Sequence, residues 1–186
     1  MRYVLIALAL VLAVGCSGRG EKRIQETAME RSQAMQAPDR ALNGYASYEL
    51  RPIAMSEEIK ADDGKKQRAL ELQGKIQERV QPLLNEWQAA GGTGRSGTLA
   101  IEPRLDSLRI ISAVNRAFAG AFSGNSSIGL DLALIDTSSN QVVGNPRLDM
   151  SSNAFAGKWS GGNSDENLLN YVAETVRQYL VLNYGR

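Results

Sequence analysis

The sequence predicts an α/β domain built as a two-layer sandwich, a mostly antiparallel sheet covered on one face by two long helices. Three stretches carry that expectation. Leu72, Ile76, Val80, Leu83, Leu84 and Trp87 recur at helical spacing, and Leu169, Val172, Ala173, Val176 and Leu180 do so near the carboxyl end. Between them Ile128, Leu130, Leu132 and Leu134 alternate with Gly129, Asp131, Ala133 and Ile135, the period of two that turns one side of a strand toward a core.

The elements follow in order. Tyr48, Leu50 and Ile53 predict a strand within Tyr45 to Met55, and Pro52, which has no N–H to give, assigns its end to a sheet edge or a bulge. The first helical stripe contains Pro82, which removes the bond to the Glu78 carbonyl. A kink, a break or a fresh helical start is expected there. The polar face of this helix mixes Glu71, Lys75, Glu78 and Arg79 without the basic excess of a membrane-surface helix, so its stripe reads as core and Trp87 as buried. AAGGTGRSG, residues 89 to 97, stops the helix. It follows a helix rather than a strand and lacks the Gly-Lys-Ser/Thr ending of a phosphate loop, so it reads as a turn.

TLAIEPRLDSLRIISA, residues 98 to 113, is either two strands or one bent strand, interrupted at Pro103 and at Asp106-Ser107. Asp136 to Gln141 (DTSSNQ) is the turn of a hairpin, because Asp, Ser and Asn bond back to local amides. Gln141 to Met150 then returns antiparallel, at an edge or broken at Pro146. A glycine-rich connector, FAGKWSGGNSDENL, leads to the last helix. Asn163 or Asp165 caps it, and Asn163 with Glu166 has the form of a capping box.

The amino end gives an address. Met1-Arg2 precedes the twelve-residue apolar run Tyr3 to Val14, which has the length of a secretory h-region and falls short of the roughly 20 residues of a membrane-spanning helix. Gly15 and then Cys16 follow, and Cys16 is the only cysteine of the 186 residues. Leu12-Ala13-Val14-Gly15-Cys16 resembles the lipobox of bacterial lipoproteins, with Ala13 where leucine is commoner. The resemblance implies cleavage before Cys16 and lipidation of Cys16. Two or more acyl chains anchor stably where one does not. Ser17, in place of an aspartate, resembles the pattern that directs such proteins to the outer membrane of Gram-negative bacteria, facing the periplasm. An incidental thiol in a signal cleaved elsewhere, and an uncleaved anchor, are the alternatives. The expected organisation is a signal peptide over residues 1–15, a lipidated Cys16 with a flexible tether over 16–42, and a globular domain over 43–186. The tether reading rests on the polarity of residues 17–42, where Ile24, Met29 and Met35 are too sparse to bury a face.

Composition excludes several classes of function. A net charge of +1, with basic residues spread among acidic ones, gives no electrostatic case for nucleic acid. The chain has no histidine, which removes the commonest general base and metal ligand. Lys158 beside Ser160 is no nucleophile-base geometry. Asp131, Asp136, Asp149 and Asp165 are the carboxylates available to a hydrolase, but they read as strand, turn and cap residues. Calcium on these carboxylates is the alternative, though no twelve-residue loop of EF-hand form appears, and no metal or cofactor is expected.

Residues 120 to 149 (GAFSGNSSIGLDLALIDTSSNQVVGNPRLD) and 153 to 184 (NAFAGKWSGGNSDENLLNYVAETVRQYLVLNY) resemble an uncharacterised family of small bacterial envelope lipoproteins. That family has no established activity. The resemblance implies a lipid-anchored module that works by assembling with partners. The expected function is therefore a non-catalytic accessory subunit of an envelope complex, with Asn125, Ser126, Ser127 and Trp159 as partner-binding residues. A lipoprotein that binds a small apolar or glycan ligand between helices and sheet is the second reading, and a hydrolase the third. Nothing in the sequence specifies an oligomeric state.

Overall fold

A computed structural model describes residues 21–91, 96–110, 125–152 and 164–185. Its elements are α1 (residues 21–33), a 3-10 turn (Leu42–Gly44), β1 (Ser47–Leu50), β2 (Ala54–Met55), α2 (Glu57–Ala61), α3 (Asp63–Ala90), β3 (Thr98–Arg109), β4 (Ser127–Asp136), β5 (Gln141–Gly144), β6 (Arg147–Ser151) and α4 (Ser164–Asn183). The α/β two-layer expectation holds.

β3 and β4 pair antiparallel through the middle of the sheet, and each carries one interrupted edge. β5 and β6 both pair antiparallel with β4, while β1 and β2 both pair parallel with β3. The parallel pairing follows from connectivity, because α3 is long enough to serve as the crossover that parallel neighbours require. Both edges break at the expected prolines. Past Pro146, which sends its carbonyl to the Leu132 N–H at 3.0 Å, the returning chain resumes as β6. β3 is a single strand whose register shifts between Leu105 and Ser107, a bulge at Asp106.

Leu99, Ile101, Leu105, Leu108, Ile128, Leu130, Leu132, Leu134, Leu148 and Met150 form the core side of the sheet, all nearly fully buried. α3 and α4 cover them. Trp87 is buried, as expected, with its ring stacked on Tyr184 at 4.2 Å and edge-on to Tyr48 at 5.3 Å. α3 runs unbroken through Pro82. Pro82 and Glu78 are both exposed, so the proline falls on the solvent side of the helix, while Val80, Leu84 and Trp87 hold the flanking turns in the core.

The tether reading is corrected from residue 21 onward. Ile24, Ala28 and Ser32 are buried at helical spacing along α1, which lies on α4. The Tyr171 hydroxyl donates to the Thr27 carbonyl at 3.1 Å, Ser32 Oγ to Thr175 at 3.1 Å, and the Tyr179 hydroxyl to Gln36 at 2.8 Å. Small residues are what the contact needs, since they let the two backbones approach closely. Beyond α1 the chain is still held: the Asp39 N–H donates to Val143, and Leu42 is fully buried.

Replacing Ala28 with leucine should cost about 1–3 kcal/mol by overpacking this contact, whereas Gln25→Leu on the exposed side of α1 should stay within about 0.5 kcal/mol. Urea unfolding of the two variants reads the difference, and equal stabilities would mean that α1 does not pack on α4 in solution.

Candidate functional site

One electrostatic cluster lies between helices. Glu174 projects from the middle of α4, with its side chain 1% exposed. Arg177, one turn on, grips it with two nitrogens, and Gln178 Nε2 donates at 2.8 Å. Arg79 of α3 donates to the same carboxylate at 3.1 Å and to Glu21 of α1 at 2.9 Å. One arginine thus ties three helices together. Burial pushes the Glu174 carboxyl up, but the hydrogen bonds from Arg177 and Gln178 and the charges of Arg177 and Arg79 outweigh it, and the group sits below the usual glutamate range.

Two polar clusters occupy the sheet. At the hairpin, Asp136 Oδ1 accepts from Ser138 N and Oγ at 2.9 and 2.5 Å, and Arg40 lies 3.5 Å from Oδ2. The Ser138 hydroxyl is the main cause of a lowered Asp136 pKa. This is the turn chemistry expected of Asp136, and Asn140 takes the left-handed conformation at φ 54°. On the outer face, Arg147 reaches Asp106 at 2.8 Å, Asp131 at 3.1 Å and Asp149 at 2.9 Å. Gly129 makes room for it: a Cβ there would stand 2.3 Å from Ser107 Oγ and 2.6 Å from an Arg147 nitrogen. Asp131 and Asp149, two carboxylates considered for hydrolysis, are bridged by this arginine. Glu102, Asp136 and Glu174 are all displaced toward lower pKa, whereas a general acid needs a raised one. Among the described residues no group of three or more His, Cys, Asp or Glu is placed to hold a metal ion.

The predicted partner-binding residues divide. Ser126 is fully buried; its hydroxyl donates to Asp165 at 2.7 Å, and it exchanges bonds with Ser152. It holds the start of β4 to the first turn of α4, which corrects its assignment to a partner surface. Ser127 is half-buried within β4, opposite Arg109 and Ser151, and Asn125 is half-buried just before it. Trp159, Cys16 and the capping role of Asn163 lie outside the described residues.

A pocket of about 140 Å³ opens at the β1–β2 edge, lined by Leu50, Arg51, Pro52, Ile53, Pro103 and, on α3, Gln73, Gln77 and Gln81. Two prolines make it. The Arg51 N–H donates to Ile101 at 2.9 Å, and in a parallel ladder the next bond would run from residue 103 back to the Arg51 carbonyl. Pro103 has no N–H, so pairing lapses until Ala54 meets Arg104. Gln73 steps in, its Oε1 accepting from Ile53 N at 3.1 Å. Sequence reading noted both prolines singly. The signal that finds the pocket is the glutamine row at positions i, i+4 and i+8 of α3, facing them.

No protein-family model matches the chain, and no curated protein matches it. Among solved structures it is similar to a PelC variant dodecamer from Paraburkholderia phytofirmans, at 16% identity and a TM-score of 0.38, covering 77% of this chain and 94% of that one. A PelC dodecamer from the same organism is similar at 14% identity and a TM-score of 0.41, covering 77% and 95%.

Glu174→Ala, which strands Arg79 and Arg177, should destabilise the domain by about 3–5 kcal/mol. Because the folded pKa of Glu174 is depressed, its contribution is complete above the unfolded glutamate value, about 4.3, and fades as pH falls through the folded one. Melting temperatures between pH 3 and pH 7 should therefore fall less steeply on the acid side in Glu174→Gln than in the wild type, and equal slopes would remove Glu174 from the acid transition.

Proposed function

We propose that the chain is a lipoprotein of the bacterial envelope, acylated at Cys16, held at the outer membrane facing the periplasm, and working as a non-catalytic interaction subunit of an envelope complex. The observation that carries the reading is the coincidence of h-region, small residue and sole cysteine at Tyr3–Cys16. The fold is compatible with it. Among the described residues no helix is long and apolar enough to cross a membrane. The carboxylates of the domain serve structure, in the three-helix joint around Glu174, the turn at Asp136 and the bridge through Arg147. With Ser126 taken up internally, Asn125, Ser127 and Trp159 remain the proposed contact residues.

The test is intact mass of the purified protein together with in-cell crosslinking. Acylation should appear as a lipid mass on Cys16, and a defined envelope partner captured by the wild type should be lost in Cys16→Ser. An unmodified Cys16 would overturn the anchor, and equal capture by both chains would separate the partner from it.

The pocket at the β1–β2 edge favours the second reading, a lipoprotein that binds a small ligand. The row Gln73, Gln77 and Gln81 supplies amide donors and acceptors beside the apolar Pro52, Ile53 and Pro103, a lining suited to a hydroxylated ring such as a sugar. Thermal stabilisation by an envelope oligosaccharide, reduced at least tenfold in apparent affinity by Gln77→Ala, would support it. No stabilisation at millimolar sugar would leave the pocket a by-product of the two prolines.

A further inference from the structure

We infer that the pocket at the β1–β2 edge is a site for the acetamido group of an N-acetylated amino sugar. The inference rests on the second reading of that pocket, as a sugar site, and names the substituent that the site recognises.

Size sets the first limit. At about 140 Å³ the pocket lies below the roughly 300–1,000 Å³ of sites that enclose a whole small ligand. It admits one substituent of a larger molecule, whose remainder lies along the exposed Gln77 of α3.

The polar groups that converge there are fixed by their neighbours. The Ile53 N–H donates to Gln73 Oε1 at 3.1 Å, and because a backbone N–H can only donate, this bond settles which way the Gln73 amide is turned. Its Nε2 is left as a donor without a partner among the described residues. Across from it, the Arg51 carbonyl is the group that Pro103 leaves without a ladder donor. The pocket thus sets one amide donor and one carbonyl acceptor beside an apolar floor of Ile53, Ile76 and the two prolines.

A secondary amide that ends in a methyl group matches all three features. Its carbonyl accepts from Gln73 Nε2, its N–H donates to the Arg51 carbonyl, and its methyl covers the floor. A hydroxyl satisfies the polar pair but leaves the floor bare. A carboxylate meets no unpaired cation, since the Arg51 guanidinium is already held by Glu102 at 3.2 Å and by Glu49 at 3.6 Å. A peptide bond carries the same amide, yet the lining offers a peptide no ladder: the Arg51 and Ile53 N–H groups are bonded within the domain, and Pro52 and Pro103 have none. The side-chain amides of Gln77 and Gln81 suit the hydroxyls of a sugar ring instead.

The test compares N,N′-diacetylchitobiose with cellobiose, which share linkage and ring and differ at carbon 2 in acetamido against hydroxyl, by titration calorimetry and saturation-transfer NMR on the purified protein. A preference of about tenfold for the acetylated disaccharide is expected, the worth of one net hydrogen bond, with the strongest transfer to its acetyl methyl. Gln73→Glu keeps the oxygen that receives the Ile53 N–H and removes the donor, so it should abolish the preference. Pro103→Ala acts on the other half of the pair, giving the Arg51 carbonyl a donor of its own, and should abolish it too; thermal melts confirm that each variant is folded. A preference that survives in both folded variants overturns the assigned geometry. Equal affinity for the two disaccharides overturns acetamido recognition and leaves the sugar reading standing. Binding of neither at millimolar concentration overturns both, and tighter binding of N-acetylalanine methylamide than of diacetylchitobiose gives the pocket to a peptide and overturns the sugar.

Discussion

α4 is enclosed through its middle turns, and the rest of the fold is arranged around that enclosure. Residues 171 to 176 are buried without a break, and with them the polar Glu174 and Thr175; Gln178 and Asn183 follow. Where a helix lies between a sheet and two other helices, each polar side chain buried on it needs an internal partner. Thr175 returns its hydroxyl to the Tyr171 carbonyl at 2.8 Å, and Asn183 bonds Tyr179 at 2.8 Å. Glu174 is the exception that local bonds cannot satisfy. A buried carboxylate requires cations, and they come from Arg177 on the same helix and Arg79 on α3, which also draws in Glu21 of α1.

That dependence explains which parts of the structure were legible in the sequence. The sheet was, because Ile128 to Leu134 and the hairpin at Asp136 are written in local chemistry: a period of two, then a side chain that bonds its own turn. The apolar faces of α3 and α4 were legible for the same reason. α1 was hidden by its means of packing. It uses Ile24, Ala28 and Ser32, two of them small, so no strong apolar stripe marks it. The complementary sign lay on α4, where Thr175 and Gln178 sit opposite the apolar stripe and carry no charge, an unusual choice for a face turned to water. Ser126 was misjudged because its partner Asp165 is 39 residues away, a pairing that only the fold creates.

Proline is used twice in opposite senses. Pro82 lies on the exposed side of α3, where the freed carbonyl is not sealed in the core, and the buried side carries the helix through. Pro103 lies inside β3, a position that strand rules disfavour, and it survives because the missing N–H is on the side of an edge already interrupted by Pro52. The two prolines in register divide the edge into β1 and β2, a division that also limits how long an uninterrupted edge the sheet offers to another chain. The opposite edge is divided at Asn145-Pro146 to the same effect, and the Asp39 N–H covers part of β5.

On the proposed anchor at Cys16, α1 is the first described element of the domain, and the joint it forms is suited to bearing a pull from its amino end. Because α1 runs alongside α4 in the same direction, a pull from residue 21 bears on the Thr27, Ser32 and Gln36 contacts together with the Glu21–Arg79 bond, rather than peeling them one at a time from the far end. Arg79 then passes the load to Glu174, the most enclosed charge among the described residues. The buried carboxylate, ringed by arginines, is thereby the point where the amino-terminal helix is fastened to the core.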